Sequence, residues 1–257
     1  MRIKRISFSS RRACGDAFDW AYGLEDMGYT GWEIVQEGEQ CLKQDNIGLV
    51  RDIHDTTDLE LSLHLPFSDM NLASLNPGIH QEILRQMEDY LELASDFVEL
   101  AVVHPGYLSP YGVQVPDKAW EQNVRSLQQL SDIAEEHGIL LAVENMPDLA
   151  LVFGRTPEEM LELIDDAGRE NIKMTFDVGH ANTMGLVDEF MIACRDHISH
   201  IHIHDNHGTK DEHLPLGKGN IDWERLFGEL SHYTGTFVTE MTDLNEGAQC
   251  LEYLKEM

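Results

Sequence analysis

Basic side chains are scarce in this chain. Lys and Arg number 18 against 47 Asp and Glu, giving a formal net charge of −29. Nucleic-acid affinity comes largely from neutralising phosphates with Lys and Arg, so a polyanionic partner is disfavoured. A local basic groove would have to work against the field of the whole molecule. The surplus of acid reads instead as a solubility adaptation. Long apolar runs are also missing. Nowhere do about 18 apolar residues follow one another, and the start, MRIKRISFSSRRACGDAF, has positive charge but no apolar stretch of signal-peptide length. Cys14, Cys41, Cys194 and Cys250 lack CxxC or CxxH spacing, which excludes a cysteine zinc clip and argues for reduced thiols in a cytoplasmic protein. No Gly-rich phosphate loop follows the first apolar run, where SSRRACGD stands, and a doubly wound nucleotide-binding sheet loses its main signature.

What is present is a regular alternation. Short apolar runs predict strands over 3–8, 31–35, 59–65, 98–104, 138–144, 171–177, 198–204 and 235–240. Between them, QEILRQMEDYLELASD (81–96) repeats Leu and Met at helical spacing. DKAWEQNVRSLQQLSDIAEEHG (117–138) offers Asp117 as N-cap and Gly138 as stop, and TPEEMLELIDDAG (156–168) offers Thr156 as cap, Pro157 at the first position and Gly168 at the exit. Strands alternating with helices over this length predict a parallel sheet closed into a single (β/α)₈ TIM barrel, with residues 1–257 as one domain.

Metal-type side chains fall at the C-terminal ends of these strands, where barrel active sites are built. His64 ends LSLHLPF, His104 ends AVVHPG, Glu144 ends LAVENMP, Asp177 ends TFDVGH with His180 three residues on, His202 lies in HIHIHDN, and Glu240 ends VTEM. Solubility pressure places acids on helix faces, not in register at the tips of apolar strands. Alternation puts His200, His202 and His204 on one face, and spacing alone does not choose among them. The loop KDEHLPLGKGNID adds Asp211 and His213, a pair that can reach one ion together with His180; Gly217 and Gly219 fit a tight loop, not a phosphate cradle. His54, His80, His197, His207 and His232 lie in helices or loops and read as surface residues. Mixed imidazole and carboxylate ligation suits divalent zinc, manganese or iron better than magnesium.

With HLPF, HPG, a strand ending in Glu144, FDxGH, HIHxxD, D-x-H-L-P-L-G-x-G-N-I-D and a final-strand Glu, the chain resembles the xylose isomerase-like barrel superfamily over nearly its whole length. That superfamily holds sugar isomerases and epimerases together with the endonuclease IV enzymes, the AP endonuclease family 2. The resemblance implies one ion in the sugar branch, at residues matching Glu144, Asp177, His202 and Glu240. It implies three in the endonuclease branch: His64, His104 and Glu144; Glu144, Asp177, His202 and Glu240; and His180, Asp211 and His213. Ketohexose epimerases tend to carry an arginine where His213 stands, so the chain departs from them toward the multi-metal pattern.

Two chemistries follow. In a metal-dependent sugar or sugar-phosphate isomerase or epimerase, an ion polarises the carbonyl of the open-chain sugar. Glu144 and Glu240 move a proton through an enediolate, His180 holds a hydroxyl, and Arg11 and Arg12 are a candidate phosphate clamp, against the favoured, plainer reading of ordinary surface arginines. In the alternative, an endonuclease IV-like phosphodiesterase, clustered ions activate water on abasic DNA; across the two readings one to three zinc or manganese ions per chain are expected. Phe67 is then a candidate wedge beside a flipped nucleotide, against the plainer reading of barrel-mouth packing. The acidic loop VQEGEQC after the second strand, together with the net charge, favours the sugar reading.

Overall fold

The computed structural model describes residues 3–10 and 18–257. Its strands are β1 (Ile6–Ser9), β2 (Gly31–Val35), β3 (Glu60–His64), β4 (Val98–Val103), β5 (Leu140–Glu144), β6 (Ile172–Asp177), β7 (Ile198–Ile203) and β8 (Thr236–Glu240). Each pairs in parallel with the next, and β1 closes on β8. The helices are α1 (Leu24–Met27), α2 (Ile47–Thr56), α3 (Pro77–Ala94), α4 (Pro116–Glu136), α5 (Pro157–Ala167), α6 (Val178–Met184), α7 (Val187–Ala193), α8 (Trp223–Glu229) and α9 (Leu244–Glu256). The fold is a single (β/α)₈ barrel.

The strands are buried on both faces, and period-two alternation separates two sets of side chains. Phe8, Trp32, Ile34, Leu63, Phe176 and Phe237 are fully or almost fully buried among the barrel's apolar side chains. Each contributes about 1.5–3 kcal/mol by leaving water. Phe176 of β6 stacks on Phe190 of α7 with ring centroids 5.9 Å apart. The alternate positions carry Glu33, Ser62, His64, Glu144, Asp177, His200 and His202, all buried. This second set is polar and gathers inside the barrel.

Thr156, Pro157 and Gly168 act as the sequence suggests. The Thr156 hydroxyl accepts from the Glu159 N–H at 3.3 Å, and Gly168 ends α5 at φ 57°. Asp117 is not the cap of α4: the helix starts one residue earlier, at Pro116, after Val115. Proline suits the first helical position because its φ is preset and it has no N–H to satisfy. Strand β5 starts at Leu140 and not at 138 because Gly138 sits at φ +71°, which cannot continue a ladder. β1 pairs only from Ile6 onward. Cys41, Cys194 and Cys250 are free thiols, and Cys14 lies outside the described residues. Among the described residues no helix is long and apolar enough to cross a membrane.

Candidate functional site

The strand ends place three overlapping clusters at the C-terminal mouth. In the first, His64 Nε2 lies 3.2 Å and His104 Nε2 3.0 Å from the same oxygen, Glu144 Oε2. His64 Nδ1 is 2.9 Å from the Leu65 carbonyl, and donating there leaves Nε2 free to accept a proton or an ion. Phe67 stacks on His104 at 4.8 Å and meets His64 edge-on at 5.3 Å. It packs against both imidazoles.

The second cluster is central. His202 Nδ1 lies 3.4 Å from Glu144 Oε1, 3.4 Å from Glu240 Oε1 and 3.8 Å from Asp177 Oδ2. Its other nitrogen, Nε2, faces Glu33 Oε1 at 3.2 Å. Glu33 Oε2 accepts from His200 Nε2 at 2.8 Å and from the Ser62 hydroxyl at 3.1 Å. Glu33 and His200 thus set the His202 ring from below, as a carboxylate behind a ligating histidine does. A cavity of about 710 Å³ opens at the opposite, N-terminal end of the barrel, and Ser62 and His200 line it. The Glu33 network therefore separates that floor from the mouth.

The third cluster is histidine-rich. His180 Nε2 is 3.5 Å from Asp211 Oδ2 and His213 Nε2 is 3.0 Å from it. His204, immediately after β7, brings Nε2 to 3.6 Å from Asp211 Oδ1 and to 3.2 Å from Asp177. Asp177 caps α6 by accepting from the His180 N–H at 2.6 Å, which couples this cluster to the central one. Asp211 and His213 ride on a loop pinned by buried Asp205. Its carboxylate accepts from the N–H groups of Asn206 (2.9 Å), Gly217 (2.9 Å) and Ile221 (3.3 Å) and from the Trp223 indole (3.0 Å). Gly219 permits that approach, since a β-carbon there would stand 2.2 Å from Asp205 Oδ1. His213 is held at φ +50°, a left-handed backbone uncommon outside glycine, and this loop supports it there.

Buried charges of one sign need compensation. Glu33, Glu144, Asp177 and Glu240 are all buried, and their ion-pair partners among the described residues are histidines, with no Lys or Arg. Burial pushes the Glu144 carboxyl up, but the charge of His202 and hydrogen bonds from His104 and His202 outweigh it and hold the group well below the usual carboxylate range. Burial likewise opposes ionisation of Glu33, and His202 and His200 overcome it. Burial disfavours a charged His180, yet Asp177, Asp211 and Glu144 raise its ring to about 10. His202 is raised in the same way by Glu240, Glu33 and Glu144 against the cost of its burial. His104 goes the other way, because for it desolvation wins. In effect protons on imidazoles neutralise the carboxylates. His202 Nδ1 and Asp211 Oδ1 are buried and make no well-aligned hydrogen bond. Groups of one nitrogen or oxygen per residue, all within 4.8 Å of each other, occur at His64–His104–Glu144, at Glu144–Asp177–His202–Glu240 and at His180–His204–Asp211–His213. These donor sets fit divalent cations in place of the protons.

The nine expected ligand positions thus meet at the mouth. Three further residues join them that sequence reasoning did not select. Glu33 stands in mid-strand GWEIV, where a carboxylate inside a fully buried strand was the available signal. His204 was one of three equivalent histidines. Asp205 closes the HIHxxD motif but was given no role of its own. His54, His207 and His232 are exposed as expected, whereas His80 is partly buried and its Nε2 lies 2.7 Å from the Ser126 hydroxyl. Arg11 and Arg12 lie outside the described residues.

Comparisons with known proteins agree with this architecture. A family model described as xylose isomerase-like TIM barrel matches residues 22–257. An uncharacterized protein of Methanocaldococcus jannaschii is 35% identical over 239 residues, covering 91% of this chain and 82% of the relative. The crystal structure of a D-tagatose 3-epimerase-like protein matches with a TM-score of 0.92 at 33% identity, over 98% of this chain and 96% of that one. A probable endonuclease 4 of Enterococcus faecalis is 25% identical over 218 residues, covering 77% of this chain and 67% of the relative.

Proposed function

Given that this chain belongs to the xylose isomerase-like TIM barrel family, we propose that it is a divalent-metal-dependent epimerase or isomerase of a sugar or sugar phosphate, working at the central cluster. The observation that carries the reading is that His202 Nδ1 stands 3.4 Å from both Glu144 and Glu240, two carboxylates on separate strands of one buried cluster. The likeness to a D-tagatose 3-epimerase-like protein across nearly the whole chain supports the choice of sugar chemistry. So does the net charge of −29, which repels a polyanion.

Glu144, Asp177, His202 and Glu240 would hold the ion. When bound it supplies Lewis-acid polarisation of a carbonyl. The protein's own part is the proton. Glu144, held ionised, takes a proton from the carbon beside the carbonyl, leaving an enediolate. Glu240, entering the cycle as the acid at the rim with 9% exposure, gives its proton to the enediolate, and a proton equivalent passes from Glu144 to Glu240 before the next turnover. Delivery to the opposite face epimerises; delivery to the neighbouring carbon isomerises. Glu33 and His200 keep His202 in place, and Phe67 with His104 walls the mouth.

An endonuclease IV-like phosphodiesterase is the second reading, favoured by one observation: all three clusters are present and share Glu144 and Asp177 as links. The distinguishing experiment incubates the ion-loaded protein with a panel of ketoses and ketose phosphates in deuterated water, and separately with abasic-site DNA. Deuterium entering the carbon beside the carbonyl supports sugar chemistry. Strand cleavage without any exchange would replace it with the second reading.

A further inference from the structure

We propose that His204 is a fourth protein ligand of the outer cluster, so that His180, His204, Asp211 and His213 form a closed site for a zinc-type ion with no position left for substrate or water. This goes beyond the sugar reading and is independent of it.

Three imidazole Nε2 atoms converge on one carboxylate: His213 at 3.0 Å, His180 at 3.5 Å and His204 at 3.6 Å from Asp211 oxygens. Two of the rings are already committed on their far side. His180 Nδ1 lies 2.8 Å from the Asn145 carbonyl and His213 Nδ1 3.3 Å from the Glu240 carbonyl. Donation to those carbonyls leaves Nε2 as the nitrogen that faces an ion once any proton on it is displaced, the arrangement metal-binding histidines use. His204 is wholly buried, and its Nδ1 has no partner. Asp211 Oδ1, which faces His204, has none either.

Space for the His204 ring is built into the chain. A β-carbon on Gly179 would stand 2.0 Å from His204 Cε1 and 2.4 Å from Nδ1, so only glycine lets α6 pass that close. The ring then lies parallel to His213, with centroids 3.8 Å apart and planes 11° apart. Asp205, next in sequence, ties the loop carrying Asp211 and His213 to the same strand end. Three nitrogens and one carboxylate oxygen make the four-coordinate set of a closed zinc site; a catalytic site keeps one position open. An ion here pins the 205–222 loop to the mouth and activates no water.

The competing role is structural. His204 Nε2 also lies 3.2 Å from both Asp177 oxygens, and in that role the ring is only a donor to a central carboxylate. His204→Gln separates the two, because its amide keeps a donor near that position and is a poor zinc ligand. The full chain is loaded with zinc and dialysed against a chelator, and retained zinc is counted by elemental analysis. X-ray absorption then reports the imidazoles around the retained ion. The proposal expects about one chelator-resistant zinc per chain surrounded by three imidazoles. In H204Q that ion should be lost, its affinity falling by more than the roughly 10–100-fold typical of outer-shell changes, with circular dichroism unchanged. Retention of zinc in H204Q, a two-imidazole ion in the unaltered protein, or no chelator-resistant ion at all would each overturn it. If H204Q fails to fold, the imidazole count in the unaltered protein decides. Weakly held ions without a resistant one defeat only this proposal, whereas a chain that takes up no divalent ion defeats the proposed function as well.

Discussion

The central and outer clusters share one barrel mouth but differ in donors and in support. The central one takes Glu144, Asp177 and Glu240 from the last residues of β5, β6 and β8, with His202 from within β7. It is rich in carboxylates, built on rigid strands and braced from below by Glu33. The outer one takes His180 from α6, His204 from just past β7, and Asp211 and His213 from a loop. It is rich in imidazole and held by backbone contacts to Asp205. Carboxylates on a stiff frame suit proton transfer, where a small displacement is costly. Imidazoles that gather a loop suit an ion that holds structure.

The sharpest way to break this contrast is Glu240→Gln. It should lower turnover by about 10²–10⁴-fold, the range general acid–base catalysis supplies, while leaving the outer ion in place by elemental analysis. Unchanged turnover would remove Glu240 from the chemistry. Next is Asp205→Ala, which strips the acceptor from three N–H groups and an indole. At about 1–3 kcal/mol per orphaned donor, denaturant unfolding should show a loss of at least about 4 kcal/mol. The outer ion should become chelator-labile in the same variant. Glu33→Gln should weaken central-ion affinity by roughly 10–100-fold in a competition titration and spare the outer ion. An equal effect on both would mean that the clusters are one unit.

The smallest effect is pH dependence. Below about 10, the raised pKa of His180 leaves its ring carrying a proton that an incoming ion must displace. Outer-ion affinity should therefore fall as pH falls, by about tenfold per unit for each proton released. Calorimetry in buffers of different ionisation enthalpy counts those protons. Zero release would contradict the protonated state derived for the ion-free cluster.

The barrel was legible because each strand is a short apolar run bounded by turn residues, and the mouth because His64, His104, Glu144, Asp177 and Glu240 end such runs. What escaped was side-chain direction across the barrel. Glu33 reads as an odd acid in GWEIV until the closed sheet brings His200 and His202 opposite it. His200, His202 and His204 share a face, but they reach different depths: the first toward the floor, the second the central cluster, the third the outer one. The cap at Asp117 failed for a local reason, because Pro116 claims the first helical position. Arg11 and Arg12, the candidate phosphate clamp, lie outside the described residues.

The most direct test of the central claim is deuterium exchange into ketoses and ketose phosphates, followed by NMR, with ion-loaded and ion-stripped protein compared. Exchange at the carbon beside the carbonyl is expected for at least one substrate, lost on stripping, restored by a divalent ion and absent in E240Q. Exchange that survives stripping, or cleavage of abasic DNA by a protein that exchanges no ketose, would contradict it.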